Sequence, residues 1–177
     1  GRGNWLVSET LHSPTKTIDT SLRLLHCEEK SLARSTRVHL HIGATKLMAK
    51  VTLIDKKHLE PGAIGYAQLK LNYPISALYG DRFIIRDFSA TRIIGGGHII
   101  DQLATTLRRN PSERLDRLLA LDNPNSMEAL KALLKISDQG VNLSSFILTR
   151  NIFCDRGQNL FSDVISHSVT TKFGRIV

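Results

Sequence analysis

The chain is 177 residues long, 41% hydrophobic and 23% charged, with a formal net charge of +8 and a pI of about 9.8. That length admits one domain or two small ones, and no apolar run approaches the length of a transmembrane helix. Two cysteines, Cys27 and Cys154, are too few for a disulfide framework or a zinc site, and the spread of basic residues over both halves makes RNA the natural polyanionic partner.

Taken in order, the amino-terminal residues show no secretory pattern, because Asn4, Ser8, Glu9 and His12 interrupt the apolar positions. Ile18, Thr20, Leu22 and Leu24 then alternate with Asp19, Ser21 and Arg23, the period of a strand with one buried face. Residues 28–35 read as a polar connector. Val38, Leu40 and Ile42 alternate with His39 and His41, and Gly43-Ala44-Thr45 turns the chain into a strand with Leu47, Ala49, Val51 and Leu53 on one face. Lys56-Lys57-His58 falls in a loop, and Pro61-Gly62 marks a turn. Ala67, Leu69 and Leu71 form the next buried face, and Pro74 is expected to break that strand.

Residues 80–101, GDRFIIRDFSATRIIGGGHIID, carry the densest pattern. Gly80-Asp81 opens a hairpin, Phe83-Ile84-Ile85 forms one strand, and the return strand carries three consecutive glycines. Such a stretch permits a sharp twist or the close approach of another molecule. It is not a nucleotide loop: no Lys-Ser or Lys-Thr follows the glycines, and strand flanks them on both sides. Several short strands at near-regular spacing predict a small antiparallel barrel over residues 1–103.

After Leu103 the composition shifts. Residues 104–124 are expected to form a linker containing a helix at 112–121, with Leu115, Leu118 and Leu119 on one face and Arg114 and Arg117 away from it. Asn125 and Glu128 suggest a capping box for a helix whose core face is Met127, Leu130, Leu133 and Leu134. Gly140 is its expected terminator. Asn142 caps a further helix with Leu143, Phe146 and Ile147 facing inward. Another helical segment is expected at 157–165, followed by a terminal hairpin. Helix, turn, helix, helix and hairpin over 125–177 is the order of a winged helix, an α+β domain.

His39 and His41 share one strand face and could place two imidazoles on a metal, but no third ligand of suitable spacing is near, so no metal is expected. No catalytic constellation stands out either, and the chain is not expected to be an enzyme. A barrel-plus-winged-helix regulator of DNA, or a purely structural interaction module, stays open on these residues alone. The poor content of Lys and Arg in the third helical segment argues against the first.

The run G-D-R-F-I-I-R-D-F-S-A-T-R-I-I-G-G-G resembles the last hairpin of the third domain of the selenocysteine-specific translation elongation factor, and more loosely that of elongation factor Tu. Arg37-Val38-His39-Leu40-His41-Ile42-Gly43 and Gly3-Asn4-Trp5-Leu6 agree with it. The resemblance implies a six-stranded translation-factor barrel followed by the first winged helix of an array. It also implies a piece of a longer chain, which fits the missing initiator Met. GTP and Mg would then be held by a GTPase domain outside these residues, since neither a P-loop nor N-K-x-D is present.

The implied partners are selenocysteyl-tRNA, the ribosome, a selenocysteine-insertion mRNA hairpin reached through later modules, and the chain's own GTPase domain, all in the cytoplasm, with no membrane. Arg37, His39 and His41 become candidate tRNA contacts. Arg86, Arg92 and His98 flank the glycines; Arg92 is expected to reach phosphate, and Gly95, Gly96 and Gly97 to let an RNA backbone approach main-chain N–H groups. The bland alternative for Arg86 is an ion pair with Asp87. Lys46, Lys50, Lys56 and Lys57 either extend this surface or form a solvated face. In the winged helix the surface candidates are Arg150, Arg156, Lys172 and Arg175, although the first module of the array is more a spacer than a binder.

Overall fold

The computed structural model describes residues 14–104, 111–137, 140–152 and 161, together with the backbone of 169–171 and 174–176. The chain divides into two units between Pro111 and Ser112. The helix expected in the linker therefore falls within the second.

In the first unit, six strands close into a barrel: β1 (Thr15–Leu24), β3 (Ser35–Ile42), β4 (Thr45–Leu53), β6 (Ile64–Ile75), β7 (Arg82–Arg86) and β8 (Ile93–Asp101), in the order β1-β6-β4-β3-β7-β8. Every neighbouring pair is antiparallel, and β1 pairs with both β6 and β8, so no edge is left open. Two-residue strands β2 (Leu32–Ala33) and β5 (His58–Leu59) pair outside this cylinder. Leu32 and Leu59 nevertheless join the core, so the polar connector and the loop at His58 each contribute an apolar anchor.

Alternation fixes which side chains fill the cylinder. Val38, Leu40 and Ile42 of β3, Leu47, Ala49, Val51 and Leu53 of β4, and Ala67, Leu69 and Leu71 of β6 are all buried in one core. Thr20 also points inward, and its hydroxyl donates to the Ala67 carbonyl at 3.0 Å, so the buried oxygen does not go unpaired. The β3–β4 connection has two loop residues, with Gly43 at φ 54, the positive value that glycine adopts without steric cost.

Two expectations for this unit are corrected. Pro74 does not end its strand: β6 runs through it to Ile75, where the register against β1 is irregular and β4 no longer pairs, so no ladder bond is asked of the proline nitrogen. β1 is buried on both faces rather than one. Asp19 and Ser21 are buried on its outer side, and Gln68 Nε2 donates to Asp19 at 3.1 Å.

The second unit holds α1 (Pro111–Leu121), α2 (Ser126–Ile136), α3 (Leu143–Thr149) and a ribbon of β9 (Val169–Thr171) and β10 (Gly174–Ile176). β10 lies beside α3. In α1 the buried face is rotated from the expected one. Leu118 and Leu121 are buried, Leu119 is 52% exposed, and Arg114 and Arg117 are half-buried rather than turned away. Asn125 caps α2, accepting from the N–H groups of Met127 and Glu128, but the capping box is not reciprocal. Asn123 Oδ1 already takes the Asn125 N–H, and Glu128 bonds Lys131 instead. Gly140, at φ 76, follows the helix end.

Asn142 caps α3 through Ser145 N–H. That helix closes with Asn151 at φ 52, Asn151 N–H on the Leu148 carbonyl and Ile152 N–H on the Ile147 carbonyl, a Schellman motif with asparagine in the left-handed position. The expected segment 157–165 lies outside the described residues except for Phe161, which is buried edge-on to Phe146 with ring centroids 6.0 Å apart.

Candidate nucleic-acid interface

The same alternation that buries the core projects the polar residues of the barrel strands outward, and the register then lines some of them up. Arg37 stands opposite Lys50 in the β3–β4 ladder, and Lys50 stands opposite Lys70 in the β4–β6 ladder. All three are exposed. Like charges directly opposite destabilise a sheet. Among the described residues no acidic side chain pairs with any of them.

Two residues further along β3, His39 sits between Met48 of β4 and Arg86 of β7. Its Nε2 is 3.1 Å from the Phe88 carbonyl, and because a carbonyl only accepts, that nitrogen carries the proton. His41 follows, opposite Lys46 and Ile84. Partial burial and then the nearby charges of Lys46, Arg86 and His39 lower its pKa from the usual 6.5, so its imidazole is neutral at neutral pH. No group of three His, Cys, Asp or Glu able to hold a metal occurs among the described residues.

The β7–β8 hairpin ends in a loop built around Asp87. Its carboxylate accepts from Thr91 N–H at 2.8 Å, Thr91 Oγ1 at 2.7 Å, Ser89 Oγ at 2.7 Å and Arg92 N–H at 3.1 Å. These bonds, the Thr91 hydroxyl foremost, hold its pKa far below the usual carboxylate range. Arg86 accordingly does not take that carboxylate; its Nη2 donates to the Thr91 carbonyl at 3.3 Å, and its Nε is buried without a partner. Asp87 N–H and Ala90 N–H close the turn, with Ala90 at φ 56. At the tip, Phe88 is 63% exposed.

One expected role is qualified and one corrected here. Arg92 is not free on the surface: its side chain is 60% exposed, but its guanidinium is bound to Glu28, a side chain only 6% exposed, and that bond raises its pKa. Nor do Gly95, Gly96 and Gly97 offer main-chain N–H groups to a ligand. The triplet is paired on both sides, with Leu24, Arg23 and Leu22 of β1 and with Ile85, Ile84 and Phe83 of β7. The glycines answer a packing need instead. A Cβ on Gly95 would meet the Arg23 carbonyl oxygen at 2.5 Å, one on Gly96 the Phe83 oxygen at 2.7 Å, and one on Gly97 would lie closer still to the Ser21 oxygen.

The missing side chains do leave a dip in the outer wall, a cavity of about 490 Å³ lined by Arg23, Arg82, His98, Ile64 and Ile84 among others. His98, half-buried, stands opposite Arg82 and Ser21. Sequence reasoning passed over Lys70, Arg82, Arg23 and Phe88. Each was legible as an outward or loop residue, but its neighbours are set by strand pairing, which no local pattern reveals.

Among the remaining candidates, Lys46 and Lys57 are exposed, while Lys56 Nζ donates to the Ile64 carbonyl at 2.6 Å. Arg150 is not a surface residue. It is 8% exposed, it donates to Leu121 O at 2.6 Å, Asn123 O at 2.8 Å and Ser126 Oγ at 3.1 Å, and it lies 5.1 Å from the Phe146 ring centroid. It fastens the end of α1 and the start of α2 to α3. Arg156 and Lys172 lie outside the described residues, and Arg175 is placed only as a backbone position of β10.

Fold and site together define a closed antiparallel β-barrel module whose outer wall carries aligned cations. The family description "Selenocysteine-specific elongation factor, beta-barrel domain" matches residues 19–106. A selenocysteine-specific elongation factor of Desulfomicrobium baculatum is 32% identical over 139 residues, covering 78% of this chain and 22% of that protein. One of Haemophilus influenzae is 28% identical over 120 residues, covering 68% and 19%. The chain belongs to the selenocysteine-specific elongation factor family and spans about a fifth of the length of these relatives. The matched domain is a barrel domain rather than a GTPase domain, and the DNA-regulator alternative gains no support.

Proposed function

We propose that this chain is the part of a selenocysteine-specific elongation factor that holds selenocysteyl-tRNA by its backbone and carries the arm toward the mRNA. In the whole cytoplasmic protein, a GTPase domain outside these residues would bind GTP and Mg, and the factor would deliver selenocysteine to the ribosome at UGA. The three helices and terminal ribbon of the second unit would be the first winged helix, a spacer leading to modules that bind the selenocysteine-insertion hairpin.

The observation that carries the tRNA reading is the Arg37–Lys50–Lys70 row. Cations held side by side against their own repulsion suit a phosphate backbone, which neutralises them and positions the RNA without reading its sequence. His39 and His41 extend the row along β3, the neutral His41 as a hydrogen-bonding group rather than a charge. One former candidate drops out of this role, since Arg150 is buried and committed to the helix ends, while Arg92 stays exposed beside its partner Glu28.

Amide shifts of the 177-residue chain, followed on adding a tRNA acceptor–T-stem mimic and duplex DNA in separate samples, test the reading. Shifts at Arg37, Lys50 and Lys70 with the RNA are the expected result. Shifts confined to the DNA sample overturn it.

A further inference from the structure

We propose that Phe88 is an RNA-contacting ring, a preformed aromatic platform that packs flat on an unpaired nucleoside of the bound RNA beside the cationic row. The inference rests on the tRNA reading above and deepens it by naming a contact that is not electrostatic.

Three observations converge. Phe88 is among the most exposed large apolar side chains of the described residues, yet its loop is held by hydrogen bonds of its own. Asp87 holds the loop with four hydrogen bonds, and the Arg92–Glu28 pair anchors its far end. An aromatic ring on a backbone already fixed gives up little conformational entropy when it binds.

The second observation is the tether between ring and cations. His39 Nε2–H donates to the carbonyl of Phe88 itself, and Arg37 lies two residues along β3 on the same face as His39. The backbone of Phe88 and the side chains of His39, Arg37, Lys50 and Lys70 therefore share one stretch of the outer wall. At about 7 Å for two residues along a strand and about 4.8 Å for each step across strands, His39 and Lys70 stand about 12 Å apart.

The third is charge. The only carboxylate in the loop, Asp87, is turned back into it by its own hydrogen bonds. What is exposed is a ring on a loop beside cationic and imidazole side chains, the combination by which proteins stack unpaired nucleosides while tracking a backbone. An apolar protein partner would gain nothing from the cationic row.

The test compares Phe88→Ala, Phe88→Leu and Phe88→Tyr with Lys50→Ala, titrating each 177-residue variant with the acceptor–T-stem RNA at several salt concentrations. Phe88→Ala should weaken binding roughly 5- to 100-fold, with Phe88→Leu close behind and Phe88→Tyr near wild type. The slope of affinity against salt should stay unchanged in the Phe88 series and fall by about one ion for Lys50→Ala. If Lys50→Ala weakens binding and Phe88→Ala does not, the ring has no such role while the tRNA reading stands. If the wild-type chain binds no RNA, both fall.

Discussion

Arg37 and Lys50 are register partners in the β3–β4 ladder, so two cations leave the barrel wall side by side, and Lys70 repeats the arrangement one strand further on. Stability alone would place opposite charges there. Lys50→Glu should therefore raise the unfolding free energy of the chain by about 0.5 kcal/mol while removing most of its RNA affinity. Urea melts and RNA titrations of one variant would read both signs, and a substitution that lowers stability and leaves binding intact would contradict the assignment.

Gly97→Ala should be among the most damaging single-methyl changes in the barrel. The added Cβ meets the backbone carbonyl of Ser21, which belongs to the paired strand and cannot swing aside. A loss of more than about 3 kcal/mol is expected, or no folded barrel at all. Gly80→Ala meets no atom within 4 Å and carries only the strain of its φ of 83, so it should cost about 1 kcal/mol. Thermal melts of the pair distinguish steric need from conformational need.

Arg150→Ala should destabilise the helical unit by about 2–4 kcal/mol, because it strips the carbonyls of Leu121 and Asn123 of their donor in a buried place. Arg150→Lys should recover only part of that, since one ammonium cannot reproduce the fork that reaches both carbonyls and Ser126. Helical circular dichroism in urea follows the transition.

His41 makes the chain acid-sensitive in a defined direction. Its folded pKa lies below the unfolded value of 6.5, so the unfolded chain takes the proton first as pH falls. Its contribution is fully present above about 6.5 and is lost as pH drops from there through the lowered folded value. Wild-type chain should lose more stability between pH 7.5 and 5.5 than His41→Gln does, and the His41 ring resonances should titrate with a midpoint under 6.5.

The barrel was readable because alternation is a property of single strands: Val38, Leu40 and Ile42, or Leu47 through Leu53, announce their buried face without knowledge of their partners. The interface was only half readable for the opposite reason. Arg37 was visible as an outward cation, but that Lys50 and Lys70 stand in line with it is a fact of pairing between distant strands. Arg150 looked like a surface cation because its acceptors, the carbonyls of Leu121 and Asn123, lie 27 or more residues away, and the pairing of the exposed Arg92 with Glu28 was hidden for the same reason. The glycine triplet was correctly singled out and wrongly explained. A run of glycines signals close approach, and here the approaching backbones are the chain's own β1 and β7.

That β1 is also the seam of the cylinder sets the timing of its birth. Thr20 meets Ile99, so the opening strand has to wait for roughly 80 further residues to be synthesised before its second partner exists. At about 5–20 residues per second the wait is several seconds, during which one flank of β1 is unpaired on the ribosome. Stop codons or pauses placed before Ile99 should leave nascent chains that chaperones and proteases recognise, whereas those placed after Asp101 should not.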